Sequence, residues 1–183
     1  MQTGRRTVER PDPKEYGEYY RRYVDLVPDG DLPETLAMQF GVTRELLASV
    51  TPEQGIHRYR PDRWSVRQVV GHMIDTERVF AHRALWIARQ HHVDLPGMDQ
   101  EVWEEVSGHQ DRPVPDLLEE WGCVRESTLH LMTGLPEDSG LRRGVASGAQ
   151  VTVRALFWIL AGHELHHMDR LREDYGIGAL TPT

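Results

Sequence analysis

The chain has 183 residues, with 21 Lys and Arg against 29 Asp and Glu, and a formal net charge of −8 at pH 7. That length suits one domain with a sizeable core, and the acidic balance argues against a nucleic-acid surface, which needs clustered cations to displace counterions. Cys123 is the single cysteine, which excludes an intrachain disulfide and the cysteine-rich zinc modules, and no run of about 18 apolar residues offers a membrane span.

Residues 1–13, MQTGRRTVERPDP, carry charge and proline but no apolar stretch of the secretory kind. They are expected to form a flexible N-terminal arm, with 14–183 as a single helical domain and the cytosol as its compartment. KEYGEYYRRYVDLV follows, its Tyr16, Tyr19, Tyr20 and Tyr23 spaced to lay an aromatic edge on the main body. The first long helix is expected over about 32–50, where Leu36, Phe40, Thr43, Leu47 and Val50 share one stripe. Asp31 and Glu34 stand at capping-box spacing, with Pro33 in the first turn.

TPEQGIHRYRPDRW reads as a loop. Ser65, with Gln68 three residues on, opens a second long helix that runs to about Gln90 and ends at HHVDLPG. A short helix is expected at about 99–106 and a third long one over Val114–Thr133. LPEDSGLRRGVASGAQ reads as a glycine-rich connection, and the fourth long helix covers about 152–174, with Gly176 as its stop. Four long amphipathic segments and little strand signal predict an all-α four-helix bundle.

The fourth helix contains LAGHELHHMDRL, Leu160 to Leu171. At about 100° per residue, His163 and His167 fall within about 40° of Leu156 and Leu160, at the centre of the apolar stripe. His166 and Glu164 lie about 80° away, on opposite flanks. Two imidazoles one turn apart in a dry core compete for partners, and protonating both would bury like charges. A shared divalent cation relieves both problems.

A third ligand is then required. The candidates are His57, His72, His82, His91, His92, His109 and His130, besides the carboxylates. His72 stands out, inward on the second helix near Val69, Thr76 and Val79. His82 falls at the edge of that face, His57 in the preceding loop, and His91, His92 and His109 in solvated loops. His130 is expected to be buried or half-buried. Asp75 and Glu77 could orient a ligand imidazole by accepting its second N–H, against a plainer reading as surface charge. Arg83 could meet an anionic substrate group or form a structural ion pair. A second apolar stripe on the fourth helix, Trp158, Ala161, Leu165 and Met168, means that this helix is central in the bundle or paired across a subunit interface.

His163-Glu164-Leu165-His166-His167 also spells HExxH, in which two histidines bind zinc and the glutamate is general base. The peptidase reading is disfavoured. Arg170 stands where the extended form of that motif has glycine, and no strand-rich region precedes it.

WSVRQVVGHMIDTERVFAHRAL, LPGMDQEVW, RRGVASGAQVTVRAL and AGHELHHMDRLREDYG together resemble the DinB/YfiT-like family of metal-binding four-helix proteins, over nearly the whole chain. The resemblance implies that His72, His163 and His167 ligate one divalent ion, zinc, nickel or similar, in a bundle of unusual helix order. It implies a small-molecule substrate, a homodimer, and neither nucleic-acid nor membrane partners. Relatives with an assigned activity are thiol S-transferases using bacillithiol or mycothiol, and a mycothiol-dependent isomerase. The expected function is therefore metal-dependent thiol S-transfer, with a low-molecular-weight thiol as co-substrate. The alternatives are a metal-dependent small-molecule hydrolase and a non-catalytic metal-binding module.

Overall fold

The computed structural model describes residues 8–90 and 92–178. Of the expected N-terminal arm, residues 1–7 lie outside the described residues. Further on, Arg10 bonds Asp29, Val24 O and Val27 O, and stacks over Trp158. Glu15 accepts from Arg154 and from Thr152 Oγ1. The tyrosine segment forms two 3₁₀ turns, Pro13–Glu15 and Glu18–Tyr20, and a short helix α1 (Arg21–Val24).

Four long helices follow the sequence signals closely. α2 (Leu32–Ala48) is capped by Asp31, whose carboxylate accepts from Glu34 N. α4 (Val66–Arg89) starts on a full capping box between Ser65 and Gln68. α6 (Val114–Gly134) and α7 (Val153–Glu173, capped by Thr152 Oγ1) complete the set. Between them lie α3 (Pro52–Ile56), with its own Thr51–Gln54 capping box in what reads as loop, and α5 (Gln100–Ser107), capped by Asp99.

α2 and α4 each pack against both α6 and α7, so α2 lies diagonally across the bundle from α4, and α6 from α7. This places α4 beside α7, although the whole of α6 intervenes in sequence. The second apolar stripe of α7 is accounted for by this central position: Trp158, Ala161 and Met168 are buried and Leu165 packs against the core.

The glycine-rich connection holds strands, a correction to the expected plain loop. β2 (Arg143–Ala146) and β3 (Ala149–Thr152) pair antiparallel, and β1 (Asp94–Leu95) joins β2 in parallel. The tight turn has Ser147 at φ 54° and Gly148 at φ 75°, the two left-handed residues that match the twist of a hairpin.

Two apolar clusters fill the bundle. One gathers Leu36, Phe80, Met132 and Leu156 toward the hairpin end; the other gathers Leu47, Val70, Leu117, Trp121 and Leu171 toward the opposite end. Between them every long helix contributes buried polar groups: Thr43, Thr76 and Glu77, Arg125 and Thr128, His163 and Glu164. A polar layer of this kind is costly unless its members satisfy one another, and it is here that the histidines meet.

Candidate metal centre

His72 stands two turns inside α4, and His163 and His167 one turn apart on α7. The contact between these helices brings His72 Nε2 to 3.2 Å from His163 Nε2, which lies 3.1 Å from His167 Nε2. One nitrogen from each ring falls within 4.8 Å of the others. His72 and His163 are buried, while His167 is partly exposed and marks the open side.

Burial, aided by the charge of His109, lowers the His72 pKa to about 4. Burial and the neighbouring imidazoles hold His163 and His167 well below the ordinary histidine value. All three rings are therefore neutral at pH 7. His163 Nε2 faces two nitrogens but, in either tautomer, can donate or accept only one hydrogen bond toward them. Hydrogen bonding leaves one contact unmet. A single cation meets all three lone pairs, and nitrogens about 2.0–2.1 Å from a tetrahedral ion stand about 3.3 Å apart. The observed spacings fit that donor set. Thr76 Oγ1, 3.5 Å from His72 Nδ1, is the neighbour toward which the other edge of that ring points.

Aromatic rings wall the triad. Trp64 lies 4.9 Å from the His72 ring, and Tyr23 stands edge-on to His163 and His166 at 5.5 and 5.4 Å. Tyr23 reaches this place because residue 162 is glycine: a Cβ there would lie 1.9 Å from the Tyr23 carbonyl oxygen. A cleft of about 230 Å³ opens beside His166 and His167, lined also by Tyr59, Arg63, Trp64, Arg170 and Tyr175. A larger cavity of about 650 Å³ lies between the start of α7 and the end of α6, and no histidine lines it.

The flanking acids do other work. Glu164 turns away from the triad and accepts from Thr43 Oγ1 at 2.7 Å and from Gln39 Nε2 and Arg125 Nη2 at 2.8 Å each. Glu77 is buried rather than superficial and does not orient His72; it accepts from Arg125 Nε and Nη2 and from Trp121 Nε1. Arg125, itself buried between the two carboxylates, is held firmly protonated. Arg83 is tied to Pro96 O and Ser147 Oγ, locking α4 to the hairpin.

Among the remaining candidates, His57, His82, His92 and His130 are exposed, so the burial expected of His130 is corrected. His91 lies outside the described residues. His109 departs from expectation in the opposite direction. It is buried, with Nδ1 2.9 Å from Glu104 and Nε2 3.8 Å from Asp75, in a space left by Gly71, where a Cβ would meet its ring at 2.1 Å.

Residues 35–169 match the DinB superfamily, a span that contains all four long-helix cores and the three converging histidines. The chain belongs to the DinB superfamily. No curated protein sequence matches it. Among solved structures it is similar to YfiT from Bacillus subtilis, described as a probable metal-dependent hydrolase with an unusual four-helix bundle topology. That likeness has a TM-score of 0.67 at 18% identity and covers 90% of this chain and 91% of that one. At this identity it establishes a shared bundle fold.

Proposed function

We propose that His72, His163 and His167 hold one divalent metal ion and that the protein is a metal-dependent enzyme transferring a low-molecular-weight thiol to a small electrophile. The observation that carries this reading is the orientation of Glu164. Its carboxylate is consumed by Arg125, Gln39 and Thr43, so the HExxH base on which peptidase chemistry depends is not at the triad. A bound ion supplies Lewis acidity that lowers the pKa of a coordinated thiol or water, so thiol ionisation needs no such base.

The chain's own residues divide the remaining tasks. His72 and His163 fix the ion from the buried side, and His167 does so at the open edge. Trp64 and Tyr23 exclude water from the imidazoles. The cleft beside His167 holds the electrophile. The sulfur forms a C–S bond as a halide leaves with its electron pair, or as an epoxide C–O bond breaks and its oxygen takes up a proton. His166 is half-buried, and burial together with Arg22 lowers its pKa, so it is neutral at pH 7 and can accept the thiol proton.

The same histidine supports a second reading, hydrolysis of a small ester or amide with His166 as general base toward water. YfiT's description points the same way. A non-catalytic metal-binding module would show neither reaction. A homodimer and a cytosolic location complete the proposal; no helix among the described residues is long and apolar enough to cross a membrane.

The test is metal analysis of the purified protein, followed by conjugation of a low-molecular-weight thiol to 1-chloro-2,4-dinitrobenzene. His72→Ala is expected to lose the ion and retain its helicity. Full metal retention in that variant would defeat the ligand assignment. Ester cleavage without thiol dependence would select the hydrolase.

A further inference from the structure

The cleft beside His166 and His167 is lined by three carboxylates, Asp62, Glu101 and Asp174, and by two guanidiniums, Arg63 and Arg170. Each guanidinium already has a carboxylate there. Arg170 Nη2 lies 2.6 Å from Asp174 Oδ2, and Arg63 Nε lies 3.6 Å from Asp62 Oδ2. Glu101 is the acid left over, and among the described residues no cation pairs with it. It stands in the first turn of α5, where its backbone N–H donates to Asp99 Oδ1 at 3.1 Å. Further along the same helix, the contact of Glu104 with His109 anchors α5 to the body of the protein. The Glu101 carboxylate is therefore carried to the cleft by a fixed element.

Three aromatic rings, Tyr59, Trp64 and Tyr175, form another wall of the same cleft. The Tyr175 hydroxyl donates to Trp64 O at 2.6 Å, and the Tyr59 and Tyr175 rings meet edge to face with centres 4.9 Å apart. The wall is thus in place before any ligand arrives. The faces of such rings carry partial negative charge and attract organic cations. An anion would find both guanidiniums engaged, and a neutral ligand would leave Glu101 unanswered.

We infer that this cleft takes a small molecule bearing an ammonium group, with Glu101 as its counter-ion and Tyr59, Trp64 and Tyr175 as the wall against its carbons. The inference rests on reading the cleft as the place of the electrophile, and it narrows that electrophile to organic cations. A volume of about 230 Å³ keeps the ligand small. Glu101 selects the substrate by charge and neither holds the ion nor takes part in the chemistry at the triad.

The experiment is calorimetric titration of the full chain, as purified and after chelator treatment, with choline and with 3,3-dimethylbutan-1-ol, which has the shape of choline without its charge. The stripped chain is also titrated with 3,3-dimethylbutanoate. Glu101→Gln, Glu101→Asp and Glu105→Gln, the last at an exposed acid of the same helix that does not line the cleft, are compared with wild type. Metal content and melting temperature are measured for each. Choline is expected to bind wild type at least tenfold more tightly than the alcohol. Glu101→Gln should lose at least fivefold in choline affinity and nothing in alcohol affinity, Glu101→Asp should regain part of it, and Glu105→Gln should match wild type. The inference is overturned if wild type fails to bind choline, if the alcohol binds as well, if Glu101→Gln keeps its choline affinity, or if Glu105→Gln loses as much. Tighter binding of the anion overturns it too. Alcohol affinity falling in step with choline in Glu101→Gln would make the residue a structural part of α5, and loss of the ion from that variant would make it a ligand; either result refutes the inference. Should wild type hold no ion, the metal reading fails separately, and Glu101-dependent choline binding to the stripped chain still decides this one.

Discussion

Replacing Glu164 separates the two meanings of the HELHH stretch. Wild-type Glu164 is 2% exposed and receives three hydrogen bonds, from Thr43, Gln39 and Arg125. In Glu164→Gln the carbonyl oxygen can keep Gln39 and Arg125, and the amide can donate to the Thr43 hydroxyl. What is lost is the charge assistance to Arg125, which keeps its paired contacts to Glu77. A hydrogen bond to a charged group contributes about 1.5–3 kcal/mol and a neutral one about 1, so the loss is about 1–2 kcal/mol. Relief of repulsion between two carboxylates sharing one guanidinium keeps it near the lower figure. Glu164→Ala leaves three buried donors unmet, at about 3–5 kcal/mol.

For a chain of this size each kcal/mol shifts the melting temperature by about 2–4 °C. The Gln variant is therefore expected to melt about 2–8 °C below wild type and the Ala variant about 6–20 °C below, in thermal scans at pH 7 with metal content unchanged. A general base behaves in the opposite way. Unaltered melting together with abolished turnover in Glu164→Gln would place the carboxylate at the reacting atoms and refute the structural assignment.

Gly162→Ala should destabilise by about 2 kcal/mol or more, because its Cβ displaces the Tyr23 backbone; faster proteolysis within α1 would report the loosened segment, and wild-type resistance would refute the close approach. Burial tends to raise the Glu15 pKa, but hydrogen bonds from Arg154, the Asp12 backbone and Thr152, with the charge of Arg154, bring it down to about 2. Its stabilisation is thus present above about pH 4.5 and lost as pH falls toward 2. Urea titrations of wild type and Glu15→Gln should converge over that window, and parallel curves would contradict the ion pair. The Glu104 hydrogen bond raises the His109 pKa against burial, with Asp75 assisting. The stability difference between wild type and His109→Gln should therefore be fullest below about pH 6.5 and shrink as pH rises through the folded-state value. A difference that grows with pH would mean that His109 is buried neutral.

Four helices and three converging histidines were legible because their signals are local or periodic. Ser65 with Gln68 announces the start of α4, and the alignment of His163 and His167 with Leu156 and Leu160 needs only the helical repeat. The ion cluster was not legible. Glu77 and Arg125 stand 48 positions apart, and nothing near either shows that the other will satisfy it. His109 reads as solvated because it falls in a loop; the available clue is Gly71, a helical glycine that makes room for a ring. The hairpin escaped because its strands have four residues each, too few for alternation to register, although Ser147-Gly148 marks the turn.

His163 and Glu164 are adjacent, and the helix turns about 100° between them. That rotation sends the imidazole toward α4 and α1 and the carboxylate toward α2 and α6. The two outcomes depend on each other. Apolar side chains around α7 would tolerate small rotations about its axis, since dispersion contacts have little directional preference. Hydrogen bonds donated to Glu164 by Thr43 and Gln39 on α2 and by Arg125 on α6 do not, because each has a fixed partner and a narrow angular range. Arg125 also bonds Leu36 O and Glu77, so the same guanidinium ties α2, α4, α6 and α7 at one level. The carboxylate that completes a misleading peptidase motif thus sets the rotation that aims His163 and His167 at His72.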